Sequence, residues 1–410
     1  MTTTMKEGPW VLAYKMKIPS KTFCSMAWDH QFIDPMGRVK PCCRFAENHR
    51  PKENNLNNKS LSDVFYGKWM NEVRDKMMKG EKVTGCIRCY QEESAGKKSL
   101  RERYHDNTDL PIDELVNIEK PSLKWIELAI SNDCNLACRM CDSQYAWKWY
   151  KEEIFQGKKP SNKIGEHSKS DIANIFPFIQ DLVHIKFTGG EPLITKDQWV
   201  LVDKLIAESD CSEIFLNYST NCTIMPKQSW IDKWTKFKKV EFALSFDSAN
   251  KEESEYIRWP ANFETTEAVT KRFLELKQSH GFQVFLRSTI SLLNVWHMPE
   301  SLQWWHDNDP GPIKHMNPTH LTFPENLCVT VLPQHIKERI TERFTEYQKN
   351  CDIKKINNGL EYIKNFMNSK DDSHLLPSLK KYLEQTDEYR GQNFFKSYPQ
   401  FHDIFHRVKD

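Results

Sequence analysis

"SNDCNLACRMCDSQ" (131–144) sets Cys134, Cys138 and Cys141 within eight residues, directly after the apolar run "LKWIELAI" (123–130). A short apolar run of this kind reads as a strand. Barrel-type α/β proteins place their sites at the carboxyl ends of such strands. Structural zinc wants four closed ligands, and these thiols offer three. A [4Fe–4S] cluster has four irons, each needing a ligand besides sulfide, usually a thiolate. Three cysteines would leave one iron open to a small chelating molecule.

Outward from that loop, "VHIKFTGG" (183–190), "IFLNYSTN" (214–221), "VEFALSFDS" (240–248) and "FQVFLRSTISL" (282–292) read as further strands, with "HLTF" (320–323) as a sixth. Helical stretches separate them, which implies parallel strands with crossover helices. A sheet covered on both faces reads almost wholly apolar. Here one face turns polar, through Glu241, Ala243, Ser245 and Asp247 on one strand and Phe285, Arg287, Thr289 and Ser291 on the next. That predicts a lumen that binds something, with Asp247 and Arg287 as candidate substrate contacts. "FTGGEP" (187–192) ends the second strand with two adjacent glycines in a chain that has 14. Glycine lets a backbone approach a ligand closely. Glu191 adds an acceptor for an ammonium group.

Residues 1–118 hold a second set of thiols. "FCSMAWDHQFIDPMGRVKPCCRF" (23–45) reads as a hairpin about Asp34-Pro35-Met36-Gly37. "LSDVFYGKWMNEVRDKMMKG" (61–80) reads as one helix with Val64, Phe65, Trp69, Val73 and Met77 on one face. Cys24, Cys42 and the pair Cys86 and Cys89 make four thiols, with Cys43 as an alternative to Cys42. Such a set suits zinc or a second iron–sulfur cluster. A polar insertion is expected at 157–170. Residues 331–410 read as a helical region: Ile336, Ile340, Phe344 and Tyr347 share one spacing, and Ile356, Leu360, Ile363 and Met367 another. The expected domains are therefore 1–118, 119–330 and 331–410.

Composition narrows the function class. The 410 residues carry a formal net charge of +2 and are 39% hydrophobic. Nothing points to a polyanion partner, so no nucleic acid is expected. No run approaches the roughly 20 apolar residues of a membrane helix. "MTTTMKEGPWVLAYKMKIPSKTF" lacks the apolar core of a secretion signal, so a cytoplasmic location is expected. Cytosolic thiols stay reduced, and clustered cysteine there means metal or redox chemistry. Cys211, Cys222, Cys328 and Cys351 stand apart and read as buried structural residues.

Over residues 119–330 the sequence resembles the radical S-adenosylmethionine (SAM) enzymes, through "CNLACRMC", "GGE", the "STN" at 219–221 and the polar positions Ser245, Asp247 and Arg287. The resemblance implies a partial (β/α)6 TIM-like barrel. It implies that Cys134, Cys138 and Cys141 hold a [4Fe–4S] cluster whose open iron is chelated by SAM. Gly189, Gly190 and Glu191 would receive the SAM ammonium. Asn221 and Ser245 would meet its ribose or carboxylate, and the backbone of Met140 the adenine. Reductive cleavage would give a 5′-deoxyadenosyl radical that takes a hydrogen from substrate. An aromatic residue is common where Met140 stands, and glycine where Cys222 stands. Cys24-x12-Gly37-x4-Cys42 resembles the opening of SPASM and twitch domains, here ahead of the barrel, as in twitch-containing proteins of phage and bacterial genomes. That implies an auxiliary [4Fe–4S] cluster on Cys24, Cys42, Cys86 and Cys89. A peptide substrate and a flavodoxin- or ferredoxin-type electron donor are expected. A sugar or nucleotide substrate is the alternative, and a zinc-binding interaction protein on an inactive barrel the alternative of another class.

Overall fold

The structure, a computed structural model, describes residues 18–94, 96–107, 121–160, 170–309 and 319–406. Of the insertion expected at 157–170, residues 161–169 lie outside these. The chain divides into two compact units, Met1–Phe32 with Val39–Ile126, and Ile33–Arg38 with Glu127–Asp410. The helical region beyond 331 falls in the same unit as the barrel strands.

In the first unit the expected hairpin is short. Its strands are β1 (His30–Ile33) and β2 (Val39–Lys40), and Met26–Asp29 forms a helical turn instead of extended chain. Local bonds make the turn, the Ala27 and Trp28 N–H groups donating to the Cys24 and Ser25 carbonyls at 3.1 and 2.7 Å, and Met26, Ala27, Trp28 and Asp29 are all inside. At the hairpin tip Asp34 Oδ1 accepts the Met36 and Arg38 N–H groups at 2.9 and 3.0 Å, and Gly37 takes the left-handed φ of 73° that the turn demands. The single helix expected over 61–80 is two, Leu61–Phe65 and Lys68–Met78. Gly67 makes the break: a Cβ there would stand 2.1 Å from the Asp63 carbonyl oxygen. Met70, Val73 and Met77 of the second helix pack with Phe23, Trp28, Phe45 and Tyr104 into one core. The helices Ile87–Ser94 and Leu100–Asn107 complete the unit among the described residues.

Asp29 is a charge inside this core. It is 2% exposed, and burial, opposed by a hydrogen bond from Tyr104, raises its pKa to about 7. Between the unfolded value near 4 and about 7 the folded chain binds the extra proton, so stability falls as pH rises through that window. The full effect is up to about 4 kcal/mol. Asp29→Asn is expected to flatten the decline of Tm between pH 4 and 7, read by calorimetry on the full chain. An unchanged slope would mean Asp29 is not the group responsible.

In the second unit β3 (Trp125–Ala129), β4 (His184–Thr188), β5 (Phe215–Thr220), β6 (Lys239–Leu244) and β7 (Gln283–Leu286) lie side by side in chain order. From β4 to β7 the pairing is parallel. This is the α/β partial barrel that the strand–helix rhythm implies. Residues in register share a face. Phe187, Tyr218 and Phe242 stack at centroid spacings of 4.9 and 5.5 Å on the helix-covered side. The opposite face is polar: Lys186 Nζ lies 2.6 Å from Glu127 Oε1, and Asn217 Nδ2 donates to Glu241 Oε1 at 2.5 Å. The expected sixth strand is only β9 (Thr319–His320). It pairs with β8 (Thr289–Ile290) in a separate ladder rather than with β7.

The helices Gln334–Lys349 and Lys354–Met367 bury the residues their spacing selected, Ile336, Ile340 and Phe344 on one and Ile356, Leu360, Ile363 and Met367 on the other; Tyr347 is half-buried. A third helix, Leu376–Arg390, ends at Gly391, whose φ is 65°. No described helix is long and apolar enough to cross a membrane.

Candidate active site

The loop after β3 is tied from within before it is tied to anything else. Asn132, fully buried, donates its Nδ2 to the Ser143 carbonyl at 3.1 Å, and its own carbonyl accepts the Trp147 N–H at 2.9 Å. Glu153 accepts both the N–H and the hydroxyl of Ser143, at 2.9 and 2.6 Å. The loop also leans on the chain near Pro260: Ala137 and Arg139 donate their N–H groups to the Trp259 and Ile257 carbonyls at 2.7 and 2.8 Å. The result is one apolar patch of Cys134, Leu136, Ala137, Ala146 and Trp149, with Cys138, Cys141, Trp259 and Tyr382 against it.

The three thiols are mutual neighbours. Burial raises the Cys134 pKa to about 12, and the nearby Cys138 adds to the effect. Cys141 is raised too, by burial first and then by Cys138. All three are free thiols, so taking up a cluster must displace protons. Three convergent thiols, Cys134 buried and Cys138 and Cys141 half-buried, suit a cluster with one iron left open.

Gly189 and Gly190 have a reason the sequence does not give. A Cβ on Gly190 would stand 2.2 Å from the Asp133 carbonyl oxygen, and one on Gly189 would stand 2.9 Å from the Ala129 Cα. The closest neighbour of Gly190 is the cysteine loop itself, and that of Gly189 is the end of β3 that leads into it. The Gly190 and Glu191 N–H groups donate to the Ser131 and Asp133 carbonyls, each at 2.8 Å. The glycines thus seat β4's exit against the loop.

Glu191 is 1% exposed. Its carboxylate accepts the Leu193 N–H at 3.1 Å, the Thr220 hydroxyl at 2.9 Å and the Asn221 N–H at 2.6 Å. Burial still lifts its pKa to about 7, so a cation beside it would offset the lost solvation. Asn221 Nδ2 lies 3.7 Å from Cys134 Sγ and donates to Asn135 Oδ1 at 3.0 Å. Cys222 is fully buried and holds a left-handed φ of 60°, a conformation that suits glycine. Ser245 is half-buried and donates its N–H to the Thr220 carbonyl at 2.9 Å; Met140 is half-buried.

Asp247 and Arg287 part company. Strand β6 ends at Leu244, and the backbone turns, with the Phe246 N–H bonding to the Leu244 carbonyl. The alternation that put Asp247 on the lumen face therefore stops short of it. Asp247 is 1% exposed: Oδ1 accepts the Thr289 N–H at 2.9 Å and Oδ2 lies 2.7 Å from Arg258 Nη2, an ion pair by distance rather than an aligned hydrogen bond. Arg258 Nη1 in turn stands 3.7 Å from Cys138 Sγ. Sequence reasoning missed Arg258. Its only local signal is an arginine beside "WP" at the end of a helical stretch. Arg287, just past β7, is exposed, and its charge acts on the Glu241 carboxyl of β6.

In the first unit Cys24, Cys42, Cys86 and Cys89 line one cavity with Phe45, Tyr90 and Arg101. Burial raises the Cys24 thiol first and Cys86 second, and Cys42 feels Cys24 and Cys89 in the same way. Cys43 is exposed and is not among the lining residues. Gly85 is required by packing, since a Cβ there would meet the Phe45 ring at 2.0 Å. Arg101 donates to the Phe23 carbonyl at 2.8 Å and pairs with Glu93. Among the described residues no three His, Cys, Asp or Glu side chains are gathered as a single metal ion would need. The four-thiol donor set suits a cluster.

Residues 128–304 match the radical SAM superfamily, and residues 24–90 match the SPASM iron–sulfur cluster-binding domain. A radical SAM cyclopropyl synthase, TigE, of Paramaledivibacter caminithermalis is 30% identical over 139 residues, 32% of this chain. The chain spans 28% of the length of that relative. Native anSMEcpe with bound AdoMet is similar over 55% of this chain and 62% of its own, at 15% identity and a TM-score of 0.36. SuiB of Streptococcus suis bound to precursor peptide SuiA is similar over 80% and 64%, at 16% identity and a TM-score of 0.33.

Proposed function

We propose that this chain, which belongs to the radical SAM superfamily and carries a SPASM-type iron–sulfur domain ahead of its barrel, is a peptide-modifying enzyme that abstracts hydrogen from its substrate. The domain matches imply a [4Fe–4S] cluster, SAM and an additional cluster. The observation that carries the reading is the convergence of Cys134, Cys138 and Cys141 on one apolar patch, with Glu191, Asn221 and Arg258 beside it. When bound, the cluster and SAM supply one-electron cleavage of the sulfonium and the abstraction of a hydrogen atom.

The chain's own residues bind, orient and exclude water. Cys134, Cys138 and Cys141 are the thiolate ligands. Glu191 would offer a buried carboxylate to the SAM ammonium, and the Arg258 guanidinium would offer a positive charge to the SAM carboxylate. Asp247 acts through Arg258, which it holds in place, and does not itself face the substrate. Gly189 and Gly190 let the β4 exit close on the cysteine loop. Asn221, Ser245 and the Met140 backbone are the further SAM contacts, and Arg287 is the substrate contact, suited to a carboxylate or another anion. Cys24, Cys42, Cys86 and Cys89 hold the auxiliary cluster, which would accept an electron from the substrate and make the net reaction an oxidation. A flavodoxin- or ferredoxin-type donor supplies the reducing electron.

The SPASM-type match supports the auxiliary cluster, and a peptide is the first substrate class to test. Dithionite-reduced protein, SAM and candidate peptides are expected to give 5′-deoxyadenosine together with a two-hydrogen mass loss or a crosslink in the peptide. Turnover of a sugar or nucleotide, with every peptide unchanged, would overturn the peptide assignment and leave the radical chemistry standing.

A further inference from the structure

The stretch "DEYRGQNFFKSYPQF" (387–401) has no role in the chemistry above, yet its residues lie against the cysteine loop. Tyr382 donates its hydroxyl to the Arg139 carbonyl at 2.6 Å, one residue beyond Cys138. Its ring stacks on Trp149 at 6.5 Å, and Trp149 Nε1 donates to the Cys138 carbonyl at 3.0 Å. Arg139 lies between two of the cysteines and is fully buried. Its guanidinium sits 3.5 Å from the Tyr256 ring centroid and reaches Asp387 Oδ1 at 2.5 Å and Gln392 Oε1 at 2.9 Å. Asp387 also accepts the Tyr256 hydroxyl at 2.8 Å and the Phe394 N–H at 2.6 Å. Gly391, with its left-handed φ, turns the chain between Asp387 and Gln392 so that both meet the same guanidinium. Arg390 forms an ion pair with Glu152 at 2.9 Å, with neither side chain exposed, and lies over Trp149 and Trp259 at 4.7 and 5.0 Å.

We propose that the helix Leu376–Arg390 is a clamp that fixes the cysteine loop, with Tyr382, Asp387 and Arg390 as positioning residues for the cluster. The inference rests on reading Cys134, Cys138 and Cys141 as cluster ligands. Two buried arginines are poor choices for stability alone, because apolar residues of similar volume would fill the space at lower desolvation cost. Their directed bonds to the loop fix geometry instead. Groups one step removed from a metal's ligands orient those ligands and govern how firmly the metal is held. Tyr382 bonds to the loop backbone, Asp387 bonds to Arg139, and Arg390 pairs with Glu152 on the helix whose Trp149 indole donates to the Cys138 carbonyl.

The test uses the full chain, reconstituted without oxygen so that both clusters are loaded, and follows iron loss to a chelator. The auxiliary cluster is the internal reference. Asp387→Asn and Arg390→Met are expected to release one cluster's iron at least ten-fold faster, with the other cluster's rate unchanged. Arg390→Lys should recover most of the wild-type rate. Tyr382→Phe removes a single hydroxyl and keeps the fold; it is expected to shift the electron paramagnetic resonance signal that the reduced protein shows with SAM. Wild-type rates in all variants with an unshifted Tyr382→Phe signal, or loss of both clusters in step, would overturn the clamp. Cys138→Ala separates this from the underlying reading. If that variant lacks one cluster while the clamp variants behave as wild type, the clamp alone fails. If it keeps both clusters, the ligand assignment fails as well.

Discussion

Cys138→Ala is expected to lower the iron of anaerobically reconstituted protein from about eight to about four per chain, and to take 5′-deoxyadenosine release under dithionite below detection. Cys138 is the most heavily supported of the three thiols. Arg258 Nη1 stands 3.7 Å from its sulfur, and the Trp149 indole holds its carbonyl at 3.0 Å. Alanine leaves two thiols to hold a cube that needs three, while the Arg258 guanidinium keeps its ion pair with Asp247. That ion pair persists in the variant, so the expected loss from the patch is iron rather than fold. The remaining iron should belong to the first unit and persist, since none of Cys24, Cys42, Cys86 and Cys89 lies in that patch. SAM cleavage that survives the substitution would refute the cluster assignment outright.

What the sequence exposed and what it hid follow from how far apart the partners are. The loop "CNLACRMC" was legible because its spacing is local, and the five strands β3–β7 because apolar runs end at turns. The radical SAM and SPASM resemblances agree with the domain matches at 128–304 and 24–90. Asp247 was placed by carrying strand alternation past Leu244, where the strand had already ended. Arg258 needed a contact across the fold to be noticed. The glycine pair at 189–190 was legible as a close approach, but the approaching group is the Asp133 carbonyl. Periodicity likewise carried one helix through Gly67, because the Asp63 carbonyl that forbids a side chain there is invisible in a one-dimensional pattern. The clamp was the least legible feature. Arg139 and Asp387 meet across 248 residues, and neither has any local signature.

Cys42→Ala and Cys43→Ala are expected to behave in opposite ways, although the residues are adjacent. Cys42 shares a cavity with Cys24, Cys86 and Cys89, and its thiol is raised by burial and by the neighbouring Cys43, Cys24 and Cys89. Cys43 points away and is exposed. The two residues open a turn, with the Phe45 N–H donating to the Cys42 carbonyl at 3.2 Å, and of the pair Cys42 is the one that lines the cavity. Cys42→Ala should lose about four irons per chain with matching sulfide, and should leave SAM cleavage by the barrel intact. Any substrate oxidation that passes its electron through the first unit should then stop, so the variant would release 5′-deoxyadenosine without product. Cys43→Ala should match the unmodified protein in iron and in turnover. The measurement is iron, sulfide and zinc per chain, alongside 5′-deoxyadenosine and product in the same reaction. About four irons and one zinc in the unmodified chain would make the first unit a structural zinc domain, and Cys42→Ala would then cost stability rather than electron transfer. Loss of iron from Cys43→Ala instead would move the fourth ligand one residue along, which the exposed Cys43 side chain argues against.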